Sequence, residues 1–351
     1  MISLVTPNCS TCATAAVQWP DAEARTAASP GISRGMAERW RIRQARETGK
    51  FSRTEIVALS DKSGFRNAES RRRYLAVYDR VRALTPLPSA THDVQTEFGV
   101  VRVYQHGPDG GVPLVLLHCF WATSAMWAEH IPALTGEFTV YTVDMLGQPG
   151  ASVQTKPMST ANHCACCVNE VLDELSIDGV HLAGHSYGGW TAVQTAARMP
   201  DRLASVTLIE PSNTVARLSG TFWRNGALLL LPGAERKERI VKELLGRPAP
   251  GSVLDSVMQL VMAAGSEFAS FGTPFPRFAS DSLLRSVGMP VQVLLAGNTI
   301  HDSEEGIDRI RKVAPAWRYR LWRDASHMLP CEAVGGVSAC IRDLAQEHPA
   351  C

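Results

Sequence analysis

Three features of the 351-residue sequence predict an α/β fold with a mostly parallel central sheet and helices on both faces. Short apolar runs recur, each bounded by Gly, Pro or polar residues, as expected of fully buried strands. Between them lie longer segments with apolar residues at three- and four-residue steps, the spacing of one helix face. The two kinds of segment alternate along much of the chain, which implies strands joined by crossover helices.

The elements follow in order. Residues 1–32 are rich in Ala, Thr, Ser and Pro without periodicity, and Arg34–Arg46 turns basic and helical. Residues 1–60 are therefore expected to be an N-terminal extension, partly disordered or helical, ahead of a domain over 61–351. Ser70–Leu84 places Tyr74, Val77, Tyr78, Val81 and Leu84 on one helix face, and Pro86 and Pro88 end it. Val94–Tyr104 alternates around Phe98-Gly99, a strand and a turn. Val112–His118, Phe138–Val143, Val180–Ala183, Val206–Ile209, Val291–Ala296 and Arg318–Trp322 read as strands, with helices at Cys164–Leu175 and Trp190–Arg198. Strand signals stop between Glu210 and Met289. The helical runs Ala234–Leu245 and Val253–Ala264 fall there, so 211–289 is expected to be a helical lid inserted late in the sheet.

Bulk properties narrow the function. A formal net charge of +1 provides no global field for nucleic acid. The first residues lack the basic start and sustained apolar core of a secretion signal, so a cytoplasmic protein is expected. The apolar run Ala227–Leu231 is too short to span a bilayer, and no membrane association is expected. Of nine cysteines, Cys9 and Cys12 form one pair and Cys164, Cys166 and Cys167 one cluster; Cys119, Cys331, Cys340 and Cys351 are scattered. No double spacing of a zinc site results, so they read as free, mostly buried thiols with no metal. The chain is expected to work as a monomer or homodimer.

Gly184-His185-Ser186-Tyr187-Gly188 carries the chemistry. Gly-x-Ser-x-Gly alone is a weak pattern, but here it follows the strand Val180–Ala183 and opens the helix Trp190–Arg198. A strained turn in that setting pushes a serine Oγ out above the sheet, and the glycines let it pack against neighbouring backbone. Ser186 is therefore the candidate nucleophile. A serine hydroxyl needs a base, and His327 lies in the loop just beyond Arg318–Trp322, at the same edge of the sheet; His185, inside the elbow, reads as structural. An oxyanion hole needs two backbone N–H groups. Tyr187 follows the nucleophile, and Phe120 lies in the loop after Val112–His118, with Cys119, Trp121, Trp127 and, from the lid, Trp223 as candidate pocket residues.

Residues from about Ser70 to Ala345 resemble the α/β-hydrolase superfamily, more narrowly its bacterial carboxylesterase-like members. The matching runs are Arg72–Asp79, His118-Cys119-Phe120, Asp144–Ser152, Gly184–Gly189, Pro290–Gly297, and Ala325-Ser326-His327 through Glu332. The resemblance implies hydrolysis of a carboxylic ester, thioester or lactone through an acyl-enzyme, without a cofactor. Phe222, Trp223, Leu228–Leu231, Phe268, Phe271 and Phe275 suggest a small apolar ester-like substrate.

Two positions depart from the family pattern. Cys119 stands where glycine is usual after the oxyanion-loop histidine. The acid that orients the histidine is also displaced: relatives carry Asp or Glu a few residues beyond the penultimate strand, where this sequence has Asn298, an uncharged side chain. Asp302, a little further on, is the favoured acid. Glu210, at the end of Val206–Ile209, is the second candidate, and Asn298 or no acid at all the third. These departures leave open a non-hydrolytic enzyme of the same fold (acyl transfer, cyclisation or C–C cleavage) or a binding protein for a small ligand.

Overall fold

In the computed structural model the described residues are 64–229, 233–246, 248–269 and 272–349. The expected extension over 1–60, the run Arg34–Arg46, Cys9, Cys12, Leu230, Leu231, Phe271 and Cys351 lie outside them.

Among the described residues nine strands form one sheet: β1 (Ala90–Thr96), β2 (Gly99–His106), β3 (Val112–Leu117), β4 (Phe138–Asp144), β5 (Val153–Gln154), β6 (Val180–His185), β7 (Leu203–Ile209), β8 (Val291–Asn298) and β9 (Arg318–Ser326). Their spatial order is β1-β2-β4-β3-β6-β7-β8-β9, and β5 pairs with β2. The six strands from β4 to β9 in that order run parallel. β1 and β2 form an antiparallel hairpin at one edge, with Thr96 opposite Gly99. The single strand expected over Val94–Tyr104 is thus two, and β9 runs to Ser326, beyond the expected Trp322.

Side-chain alternation explains why both faces of the parallel strands are apolar. In β3, Val115 and Leu117 join one core cluster and Leu114 and Leu116 the other. In β8, Val293 and Leu295 face the first cluster and Leu294 and Ala296 the second. The first cluster is closed by Ala161–Glu174, Tyr187–Arg198 and Ser303–Val313, through Leu172, Trp190 and Ile310. The second is closed by His130–Leu134 and Val334–Glu347, through Leu134 and Ile341.

The helix Ala68–Arg82 begins where Asn67 caps it, its side chain accepting from Ser70 N at 2.8 Å. It packs Tyr74, Tyr78 and Val81 against Leu260 and Ala264 of the helix Val253–Glu267. Tyr78 Oη donates to Asp144 Oδ2 at 2.7 Å, which ties this helix to the end of β4. The expected insertion holds the helices Gly220–Leu229, Ala234–Leu245, Val253–Glu267 and Asp281–Ser286 between β7 and β8.

Candidate active site

Ser186 follows the last residue of β6 and precedes the helix Tyr187–Arg198. Its backbone is strained, with φ 54° and ψ −108°, a region L-residues enter only when the surroundings force them. The force comes from close backbone approach. A Cβ on Gly184 would stand 2.7 Å from Gly189 N, and one on Gly188 would stand 2.8 Å from His118 O. Glycine at both places lets the elbow press against its own helix and the end of β3.

Parallel pairing of β6, β7, β8 and β9 brings the ends of these strands to one edge. There Ser186 Oγ lies 2.9 Å from His327 Nε2, and His327 Nδ1 lies 3.0 Å from Glu210 Oε2. His327 is fixed from two sides. His185 Nε2 donates to the His327 carbonyl at 2.8 Å, and Glu332 accepts from the amide and hydroxyl of Ser326, each at 2.6 Å. Glu210 has φ 48° and a side chain with no exposure. Its Oε1 accepts from Ala296 N at 2.6 Å, and its Oε2 also accepts from the Thr299 hydroxyl. Burial pulls the His327 imidazole below its ordinary value. Burial also pushes the Glu210 carboxyl upward, against the pull of His301, Thr299 and the Ala296 amide.

On the other side of Ser186, the loop after β3 is held by His118. Its Nδ1 donates to Cys119 O at 2.7 Å, and its Nε2 accepts from Met145 N at 2.9 Å. Trp121, at φ 62°, donates its N–H to Gln148 Oε1 at 3.1 Å. The Phe120 ring packs edge-on against the ring of Tyr187, the residue after the serine, centroids 4.6 Å apart.

A family model described as the alpha/beta hydrolase fold matches residues 112–237. The chain is 27% identical over 282 residues to carboxylesterase YbfK of Bacillus subtilis (strain 168), covering 78% of this chain and 94% of the relative. The crystal structure of carboxylesterase CesB (YbfK) from Bacillus subtilis superposes with TM-score 0.71, over 79% of this chain and 98% of that one.

The chain has the α/β-hydrolase fold. The naproxen esterase (carboxylesterase NP) structure from Bacillus subtilis shares its fold, with TM-score 0.72 at 24% identity over 79% of this chain and 98% of that one.

Within this fold the acid favoured from sequence needs correction. Asp302 is not beside His327: its carboxylate caps the helix Ser303–Val313, accepting from Glu304 N and Glu305 N at 3.0 Å each. Asn298 is exposed at the end of β8 and donates to Asp324 O at 3.2 Å. The carboxylate facing His327 is Glu210, the second candidate, carried one strand earlier in the sheet.

The pocket candidates divide. Cys119 and Trp127 are buried in the apolar cluster with Leu114 and Met126, where they pack the core. The side chain of Cys119 is thus accommodated by the core, and burial pushes its thiol up to about 12. Trp121 is half-buried and faces the insertion, 3.5 Å from where a Cβ on Gly265 would stand. Trp223 is 53% exposed, packing with Phe222 and Phe275 on the outside of the insertion.

Ser212, Thr299 and His301 escaped the sequence reading. Ser212 Oγ lies 2.9 Å from Ser186 Oγ, and the buried His301 ring places Nε2 3.6 Å from Glu210 Oε1. The only signal available was their position just after β7 and β8, where loops meet at the strand ends. The six cysteines among the described residues are free thiols. Among the described residues no group of three or more His, Cys, Asp and Glu is placed to hold a metal ion, and no helix is long and apolar enough to cross a membrane.

Proposed function

We propose that this protein hydrolyses a carboxylic ester through an acyl-enzyme on Ser186, with His327 as general base and Glu210 as the acid that orients it. The observation that carries this reading is the continuous chain Ser186 Oγ, His327 Nε2 and Nδ1, Glu210 Oε2, at 2.9 and 3.0 Å. With Glu210 ionised, His327 Nδ1 donates to it, so Nε2 carries the lone pair that receives the serine proton.

Ser186 Oγ attacks the ester carbonyl as its proton passes to His327 Nε2. Glu210 offsets the imidazolium charge, which is little screened because the His327 side chain is only 5% exposed. The oxyanion is assigned to the Tyr187 N–H, at the first turn of its helix, and to the Phe120 N–H in the facing loop. Collapse expels the alcohol, protonated by His327, and water then repeats the sequence to release the acid. Ser186 keeps only 5% of its surface exposed. The described helices between β7 and β8 are assigned the part of a lid, with Trp121 facing Gly265 of one of them and favouring a small apolar acyl or alcohol group. The carboxylesterase YbfK similarity over most of both chains supports an ester over other acyl compounds. The Glu210 carboxylate beside His327 and the burial of Cys119, which pushes its thiol up to about 12, favour hydrolysis over the non-hydrolytic reading.

Short p-nitrophenyl esters and a fluorophosphonate probe test this reading. Labelling and ester hydrolysis are expected in the wild type and absent in Ser186→Ala. An unlabelled wild type without esterase activity would overturn it.

A further inference from the structure

The segment just after β7 makes two contacts with the reacting groups. Glu210 reaches His327, and two residues later the Ser212 hydroxyl lies 2.9 Å from Ser186 Oγ. The segment is tightly held. Ser212 N donates to Ser186 O at 3.1 Å, and the Thr214 hydroxyl donates to Ser212 O at 3.0 Å. Asn213, at φ 46°, donates its side-chain amide to Pro276 O at 2.9 Å and accepts from Leu218 N at 3.0 Å. Proton accounting fixes the direction of the serine–serine bond. The Ser186 proton is committed to His327 Nε2, so Ser186 Oγ accepts and the Ser212 hydroxyl donates.

We propose that Ser212 is a further catalytic residue, whose hydroxyl donates to Ser186 Oγ and aids release of that oxygen from the acyl-enzyme. The inference rests on the esterase reading above. In deacylation, water adds to the acyl carbonyl and gives a proton to His327 Nε2. The tetrahedral intermediate then breaks its C–Oγ bond, the electron pair stays on Oγ, and His327 returns the proton to it. While that pair develops, a second donor at 2.9 Å stabilises it.

A hydrogen bond lowers a barrier only by the amount it strengthens between ground and transition state. Acylation starts from a serine hydroxyl, already a good acceptor, so Ser212 gains little there. Deacylation starts from an ester oxygen, a poor acceptor, so the gain is larger. Ser212 thus acts mainly on the second half of the cycle.

The test measures the two half-reactions separately in the full chain. Acylation is followed in single turnovers of a p-nitrophenyl ester with enzyme in excess, and deacylation as decay of the acyl-enzyme mass. Ser212→Ala and Ser212→Cys are compared with the wild type; the second retains side-chain volume and only a weak donor. Deacylation is expected to slow about ten-fold in Ser212→Ala and acylation less than about three-fold, with Ser212→Cys following the same order. Equal slowing of both steps, or no slowing of either, would overturn the proposal while leaving the esterase reading intact. A wild type that forms no acyl-enzyme would overturn both.

Discussion

Glu210 Oε2 stands 3.0 Å from His327 Nδ1 although the two residues come from different strand ends, β7 and β9. β8 lies between them and supplies the Ala296 amide that holds the other carboxylate oxygen at 2.6 Å. The carboxylate therefore reaches across the end of β8. Glu210→Gln keeps the shape but removes the charge that fixes the imidazole tautomer. A loss of about 10³- to 10⁴-fold in kcat is expected, with the melting temperature little changed. Asp302→Asn, assayed beside it, is expected to leave kcat near wild type, because an asparagine still caps the helix Ser303–Val313. The reverse pattern would return the acid to Asp302.

The pH profile of kcat/KM reports the base in the free enzyme. As the proposed base, His327 would act only when neutral, and burial lowers it from its ordinary 6.5. Activity is then retained through the range where an exposed histidine protonates, and is lost only at more acidic pH. The acid limb is expected to have its midpoint below 6.5. A midpoint above it would mean that the Glu210 charge outweighs burial.

Gly188 has no room for a side chain, since a Cβ would overlap Leu117 O and stand 2.8 Å from His118 O. Those atoms are backbone and cannot swing aside. Gly188→Ala is expected to push the elbow away from β3, with a stability loss of about 1–3 kcal/mol. Probe labelling of Ser186 is expected to fall with it. Thermal melts and labelling rates on the same preparation check both effects.

Acid should also weaken the fold. His130 and His181 are buried and each lowered to about 4 by that burial, and His118 is lowered for the same reason. In the unfolded chain each titrates near 6.5, so below that pH the unfolded state binds protons that the folded state refuses. Stability is complete above about 6.5 and falls as pH drops toward 4. Melting temperatures measured from pH 7.5 to 4.5 are expected to decline by several degrees, and a flat profile would mean that these rings find partners when protonated.

The sequence determined the elements and pointed to two members of the candidate site because both are written in local pattern. Apolar runs such as Phe138–Val143 leave little alternative to a buried strand, and a serine between glycines at a strand-to-helix turn marks Ser186. His327 was legible for a similar reason, as a histidine just past the last strand. The third group was not, because spacing along the chain pointed to Asn298 and Asp302 while proximity depends on which strands are neighbours. Only the order β6-β7-β8-β9, and the length of a glutamate side chain able to cross the end of β8, brings Glu210 to His327. Ser212 follows the same rule. Nothing in Pro211-Ser212-Asn213 marks a contact with Ser186, since the contact exists only because β6 and β7 are paired in register, with His185 opposite Ile209.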